Sequence, residues 1–82
     1  MYTVYVLLSL KDNKHYIGST GNLEKRLNYH FKGCSKATKN RLPLKLIYTE
    51  QFDTKRAALL REFKLKSYKS SKYIKLLIEN KK

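Results

Sequence analysis

The chain has 82 residues, with 19 Lys and Arg against six Asp and Glu, for a formal net charge of +13. Residues 1–82 read as one small domain with no room for a second. The lone cysteine, Cys34, excludes an internal disulfide and a cysteine-built zinc site, and it fits a reducing cytoplasm. An apolar content of 41%, with seven Tyr and three Phe, supplies a core despite the charge, so disorder is not expected. So one-sided a charge opposes compaction by self-repulsion, and an anionic partner is expected, with nucleic acid the leading candidate.

"YTVYVLLS" (Tyr2 to Ser9) is dense in β-branched and aromatic residues and predicts a strand with both faces largely buried. With Met1 it makes an apolar run too short to span a membrane, so no membrane partner is expected. Asp12 and Asn13 tolerate left-handed backbone angles and predict a two-residue hairpin loop into a second strand, His15 to Thr20. "GNLEKRLNYHFKG" predicts a helix with Asn22 as N-cap, Glu24 in the first turn and Gly33 at the C-terminus. Leu23, Leu27 and Phe31 form its expected buried stripe, with Arg26 and His30 projecting together from an adjacent flank.

A basic loop, "CSKATKNRLP", precedes a third strand, Leu44 to Phe52. Asp53 or Thr54 then caps a helix, "KRAALLREFKLKSY", with Leu59, Leu60 and Phe63 expected to face inward. Ser70 or Ser71 caps a last short helix, "KYIKLLIEN", whose apolar side is Ile74, Leu77 and Ile78. The order β-β-α-β-α-α predicts a small α+β domain, a short sheet covered by helices.

A two-residue loop would pair Ser9 with Tyr16, Leu7 with Gly18 and Tyr5 with Thr20. Tyr5, Tyr16 and Gly18 then share one face, with open space beside Tyr5 where Gly18 lacks a side chain. The second strand feeds directly into the helix carrying Arg26 and His30. Two phenols, a fixed cation and an imidazole suit phosphodiester chemistry: arginine holds phosphate bidentately, and a phenol or imidazole relays a proton. Glu62 is the candidate for bringing in a divalent metal, since Mg²⁺ keeps much of its hydration shell and accepts a single carboxylate. Each residue also has a plain structural role open to it. Strand tyrosines pack, a strand glycine marks a bulge, a histidine late in a helix complements the dipole, and Glu62 pairs with Lys66 at i,i+4.

"TVY" (Thr3 to Tyr5) and "YIG" (Tyr16 to Gly18) resemble the two motifs of the GIY-YIG nuclease domains. "STGNLEKRLNYH" resembles that family's strand-to-helix segment, with Arg26 and His30 at the arginine and the following His or Tyr positions. "AALLREFKLK" resembles the later helix whose metal-binding glutamate falls on Glu62. The likeness spans almost the whole chain and suits a small standalone member; the first motif departs from the family at Thr3 and Val4. It implies a three-stranded antiparallel sheet flanked by helices and metal-dependent cleavage of DNA, as in repair or processing. By that likeness Mg²⁺ (or Mn²⁺) on Glu62 holds the scissile phosphate, and Tyr16 deprotonates the attacking water. Arg26 then stabilises the transition state, while Tyr5 and His30 orient water and phosphate. A phenol titrates ordinarily near ~10, so this role for Tyr16 implies an alkaline rate optimum.

No acid occurs between Lys25 and Tyr48, a run that holds Lys25, Arg26, Lys32, Lys36, Lys39, Arg41 and Lys45. Lys25, Lys32, Lys36, Lys39 and Arg41 are the expected contacts to a phosphate backbone, predicting salt-sensitive binding without sequence reading. The first expectation is therefore a DNA endonuclease that selects structure rather than sequence, acting as a cytoplasmic monomer. The alternatives are a non-catalytic nucleic-acid-binding module on the same scaffold, and a protein acting on RNA or with a protein partner.

Overall fold

A computed structural model of the chain describes residues 1–35 and 38–67, together with Leu76 and Glu79. Its elements are β1 (Tyr2–Ser9), β2 (His15–Thr20), α1 (Leu23–Phe31), a 3₁₀ turn at Lys39–Arg41, β3 (Leu44–Phe52) and α2 (Lys55–Ser67). The three strands form one antiparallel sheet in the order β2-β1-β3, so the most apolar strand is central and buried on both faces. The predicted last helix lies outside the described residues except for Leu76 and Glu79, so Ile74, Leu77 and Ile78 fall outside them, as do Lys36 and the proposed caps Ser70 and Ser71.

Local chemistry sets the helix ends. The Asn22 side chain accepts the Lys25 amide at 3.1 Å, and Thr54 Oγ1 accepts the Ala57 amide at 3.1 Å, which makes Thr54 the cap of α2. Gly33 follows α1 with φ +77°, a left-handed angle that suits glycine. The predicted α1 stripe is rearranged. Leu23 and Leu27 are half-buried, Phe31 is 42% exposed, and His30 is the residue that α1 buries.

The hairpin corrects the predicted register by two residues: Tyr5 pairs with Gly18, Leu7 with Tyr16 and Thr3 with Thr20. The loop has four residues rather than two, because the Ser9 amide donates to the Lys14 carbonyl at 2.9 Å and Ser9 O accepts the Asn13 amide at 2.8 Å. Asn13 supplies the left-handed angle at φ 59°. The Ser9 hydroxyl, fully buried, donates to the Arg41 carbonyl at 2.7 Å and anchors the loop to the 3₁₀ turn. An even shift leaves every side chain on its predicted face, so Tyr5, Tyr16 and Gly18 stay together.

The core lies on the other face, where Val4, Val6 and Tyr48 pack against Ala58 and Leu65 of α2. Here α2 overturns the expected inward stripe: Leu59, Leu60 and Phe63 are 46%, 64% and 76% exposed. The helix instead turns positions 58, 61, 62 and 65 toward the sheet, a helical stripe of Ala, Arg, Glu and Leu. Arg61 clamps Glu50 with two bonds, 2.7 and 3.0 Å, and the Tyr48 hydroxyl donates to the same carboxylate. Charges are tolerated under a helix only when paired in this way. Burial and the neighbouring Glu50 carboxylate push the Tyr48 phenol up to about 12. Leu65→Ala is expected to cost about 2–5 kcal/mol in urea unfolding and Leu60→Ala no more than about 0.5. The reverse ranking would restore the apolar stripe as the buried one.

Candidate active site

The face of the sheet opposite the core carries Tyr5 at its centre, and the paired Gly18 lets the phenol lie flat across β2. A Cβ built on Gly18 falls 2.6 Å from Tyr5 Cζ and closer still to the hydroxyl, so the expected open space is filled by the Tyr5 ring itself. The ring is aimed at α1, where the Tyr5 hydroxyl and His30 Nε2 are hydrogen-bonded at 3.0 Å. The other ring nitrogen, Nδ1, is bonded to the Thr38 hydroxyl at 2.9 Å. All three residues are buried, and two tautomers satisfy the chain. Either Tyr5 donates to Nε2 and Nδ1–H donates to Thr38, or Thr38 donates to Nδ1 and Nε2–H donates to Tyr5. A proton can therefore be held at either end of the imidazole.

Burial pushes the Tyr5 phenol up from its ordinary value; Arg26 works against that shift and Glu62 adds to it. Burial pushes His30 down, and the Arg26 charge pushes it further, so the imidazole is neutral near pH 7. The Tyr5 phenol thus feels a cation from α1 and a carboxylate from α2. Arg26 is exposed, its guanidinium 5.8 Å from the centre of the Tyr29 ring, and Tyr29 packs edge-on against His30 with centroids 6.0 Å apart. Glu62 lies on the core side of the sheet, where it accepts the hydroxyl of Ser19 on the edge strand β2 at 2.6 Å, and its charge is felt at Tyr5. Its second oxygen accepts Lys66 Nζ at 2.6 Å, the predicted i,i+4 pair.

Tyr16 shares the Tyr5 face and is half-buried, with the Arg41 guanidinium 5.5 Å from its ring centre. Arg41 is also ion-paired with Asp12 in the hairpin loop, so it holds the loop over Tyr16 as well as adding positive charge. Lys25, Lys32 and Lys39 are exposed around α1 and the 3₁₀ turn; Lys36 lies outside the described residues. His15 falls on the opposite face from Tyr16, as the period of two requires.

Among the described residues no group of three or more His, Cys, Asp or Glu side chains could cage a metal. The donor set still suits a hard, hydrated cation. The Glu62 carboxylate is 17% exposed, its inner oxygen fixed by Ser19 and its outer one held, among the described residues, by the exposed Lys66. One carboxylate, waters and a substrate phosphate is a mode Mg²⁺ accepts, and an i,i+4 pair worth a few tenths of a kcal/mol is easily displaced.

Four partners escaped the sequence reading. Tyr29 was accessible to it, three residues after Arg26 on one helix face. Thr38, Ser19 and Asp12 carry no periodic signal; each meets its partner only through chain folding.

Because His30 is held below its ordinary value, the native state binds fewer protons there than the unfolded chain. Its contribution is full above about pH 6.5 and is lost as pH falls through the native value. Urea unfolding is expected to show declining stability from pH 7 to 5, with a visibly smaller decline in His30→Gln. Equal slopes in both proteins would remove His30 as the cause.

Residues 1–74 match the model of the GIY-YIG catalytic domain, and the chain belongs to the GIY-YIG family. This is a nuclease domain, which implies a nucleic-acid substrate. Its relatives are small proteins called UPF0213. One from Clostridium perfringens is 42% identical over 78 residues, covering 94% of this chain and 83% of the relative. Another, from Natronomonas pharaonis, is 42% identical over 77 residues, covering 93% and 89%. The solution NMR structure of a UPF0213 protein from Bacillus halodurans superposes with a TM-score of 0.61 at 31% identity, covering 99% of this chain and 86% of that one. Thr3, where the first motif departs from glycine, is buried and paired with Thr20 and Gln51, and Tyr5 beside it still reaches His30.

Proposed function

We propose that this chain is a metal-dependent endonuclease that hydrolyses DNA phosphodiester bonds, selecting structure rather than sequence, as in DNA repair or processing. The observation that most supports this reading is the buried hydrogen bond between Tyr5 of β1 and His30 of α1, on a phenol that also feels the Arg26 charge from α1 and the Glu62 charge from α2. A purely binding scaffold has no use for a carboxylate beside phosphate, since it repels the ligand unless a cation lies between them.

Arg26, exposed and steadied by the Tyr29 ring, takes the phosphate and the negative charge that grows on it during displacement. The buried Tyr5 stays a neutral phenol, able to donate to a phosphate or water oxygen, and His30 with Thr38 behind it holds or returns the proton. Tyr16 is the base for the attacking water, beside the guanidinium of Arg41. Glu62 would hold Mg²⁺ or Mn²⁺, which supplies Lewis-acid stabilisation of the phosphoryl oxygen when bound. The exposed Lys25, Lys32 and Lys39, with Lys36 and Arg41, supply phosphate-backbone attraction without sequence reading. Among the described residues no helix is long and apolar enough to cross a membrane, and the reading is of a cytoplasmic monomer.

The test is nicking of supercoiled plasmid and of branched DNA with Mg²⁺ or Mn²⁺, wild type against Glu62→Gln. Cleavage that needs both the metal and Glu62 supports the reading. Binding without cleavage by the wild type selects the non-catalytic module instead.

A further inference from the structure

Beside the site lies an open groove of about 420 Å³ lined by Phe31, Leu42, Pro43 and Leu44. Phe31 stands 42% exposed in it, an aromatic face turned to solvent by a helix that buries histidine in its place. The groove is continuous with the site along the chain: Phe31 follows His30, which is bonded to Tyr5, and Leu42 follows Arg41, which lies over the Tyr16 ring. Gly33 lies against the lining residue Leu42, and a Cβ there would come within 3.3 Å of Leu42 Cδ1.

The surrounding charge selects the occupant. All four lining residues fall within residues 25–49, a segment with no Asp or Glu and with seven basic residues: Lys25, Arg26, Lys32, Lys36, Lys39, Arg41 and Lys45. An open apolar groove built from a segment without acids suits a ligand that joins a flat apolar face to a nearby negative charge. An unstacked nucleotide has that form: its base lies on an aromatic ring while its phosphate meets a cation. A base within a duplex is stacked and unavailable. The lining side chains carry no hydrogen-bonding group, so they suit the face of a base rather than its edge, and the choice of DNA comes from the nuclease reading.

We propose that this groove seats an unpaired base of a DNA strand whose backbone lies at the Arg26–Tyr5 site. The inference rests on the nuclease reading and narrows its substrate to DNA with unstacked bases, as in single strands, flaps or branch points.

The test is fluorescence anisotropy of the full chain without divalent metal, using an oligothymidine strand and an abasic strand of equal length and charge. The wild type is expected to bind the base-bearing strand about 5- to 100-fold more tightly, the range that stacking of one base supplies. Phe31→Ala should bring that ratio close to one while leaving the salt dependence unchanged, and Phe31→Tyr should keep it. Equal affinity of the wild type for both strands, or an undiminished ratio in Phe31→Ala, overturns the groove as a base seat and leaves the nuclease reading standing. Tighter binding of an RNA strand than of the matching DNA strand overturns its assignment to DNA. Failure to bind any oligonucleotide overturns the nucleic-acid reading and this inference together.

Discussion

Arg26→Ala and Glu62→Gln are each expected to slow plasmid nicking by about 10²- to 10³-fold or more, far beyond any loss of DNA binding. Binding draws on a net charge of +13, of which Arg26 is one unit, so its removal weakens affinity several-fold and lowers the salt slope by about one. Catalysis draws instead on charges fixed where negative charge develops, and no surface lysine replaces a guanidinium held against Tyr29. Glu62→Gln removes a charge from a chain with only six acids, so its effect on binding should be neutral or favourable. Lys66→Ala is the control: it frees the outer oxygen of Glu62 and should keep or raise the rate, with less metal needed for half-maximal nicking. Kinetics at saturating DNA separate these cases. An equal loss of binding and rate in Arg26→Ala would make it a phosphate tether alone.

Gly18→Ala should be the most damaging single methyl in the protein. The new Cβ would overlap Tyr5 Cζ and the hydroxyl, and the ring is rigid, 4% exposed and bonded to His30. The phenol must leave its place or β2 must shift, at a cost of about 1–3 kcal/mol. For a domain of this size that lowers the midpoint of thermal unfolding by roughly 4–8 °C per kcal/mol. Nicking should fall at temperatures where the variant is still folded, because the Tyr5–His30–Thr38 chain is broken at its first link. Loss of the His30 ring resonance positions seen in the wild type, by NMR, is the direct reading of that break. A Gly18→Ala protein as stable and active as the wild type would mean that the phenol does not cross Gly18.

Much of the candidate site is legible in the sequence. Tyr5, Tyr16 and Gly18 share a face because strand periodicity is two, and that survives an even change of loop length. The loop length is not legible in this way: the Ser9 and Asn13 backbone bonds close four residues, and the Ser9 hydroxyl accepts the Lys11 and Asp12 amides while tying the loop to the Arg41 carbonyl 32 residues later. Arg26 and His30 share a helix flank by spacing, but their contrasting environments, one exposed and one buried, depend on where Tyr5 stands. The inward stripe of α2 was misread because apolarity is an unsafe guide where charged groups are paired. Arg61 and Glu62 face the sheet because Glu50, Tyr48 and Ser19 meet them there.

Properties set within a few residues could thus be taken from the chain directly. These are the strands, the capped helix ends, the basic segment 25–49 and the motif residues, since each depends on side-chain type and near-neighbour spacing. The Thr38 partner of His30, the bond of Glu62 to Ser19 of β2 and the Phe31 groove needed the folded chain. They join residues 8, 43 and 11 or more positions apart through polar pairing and shape, and neither leaves a periodic trace in a sequence.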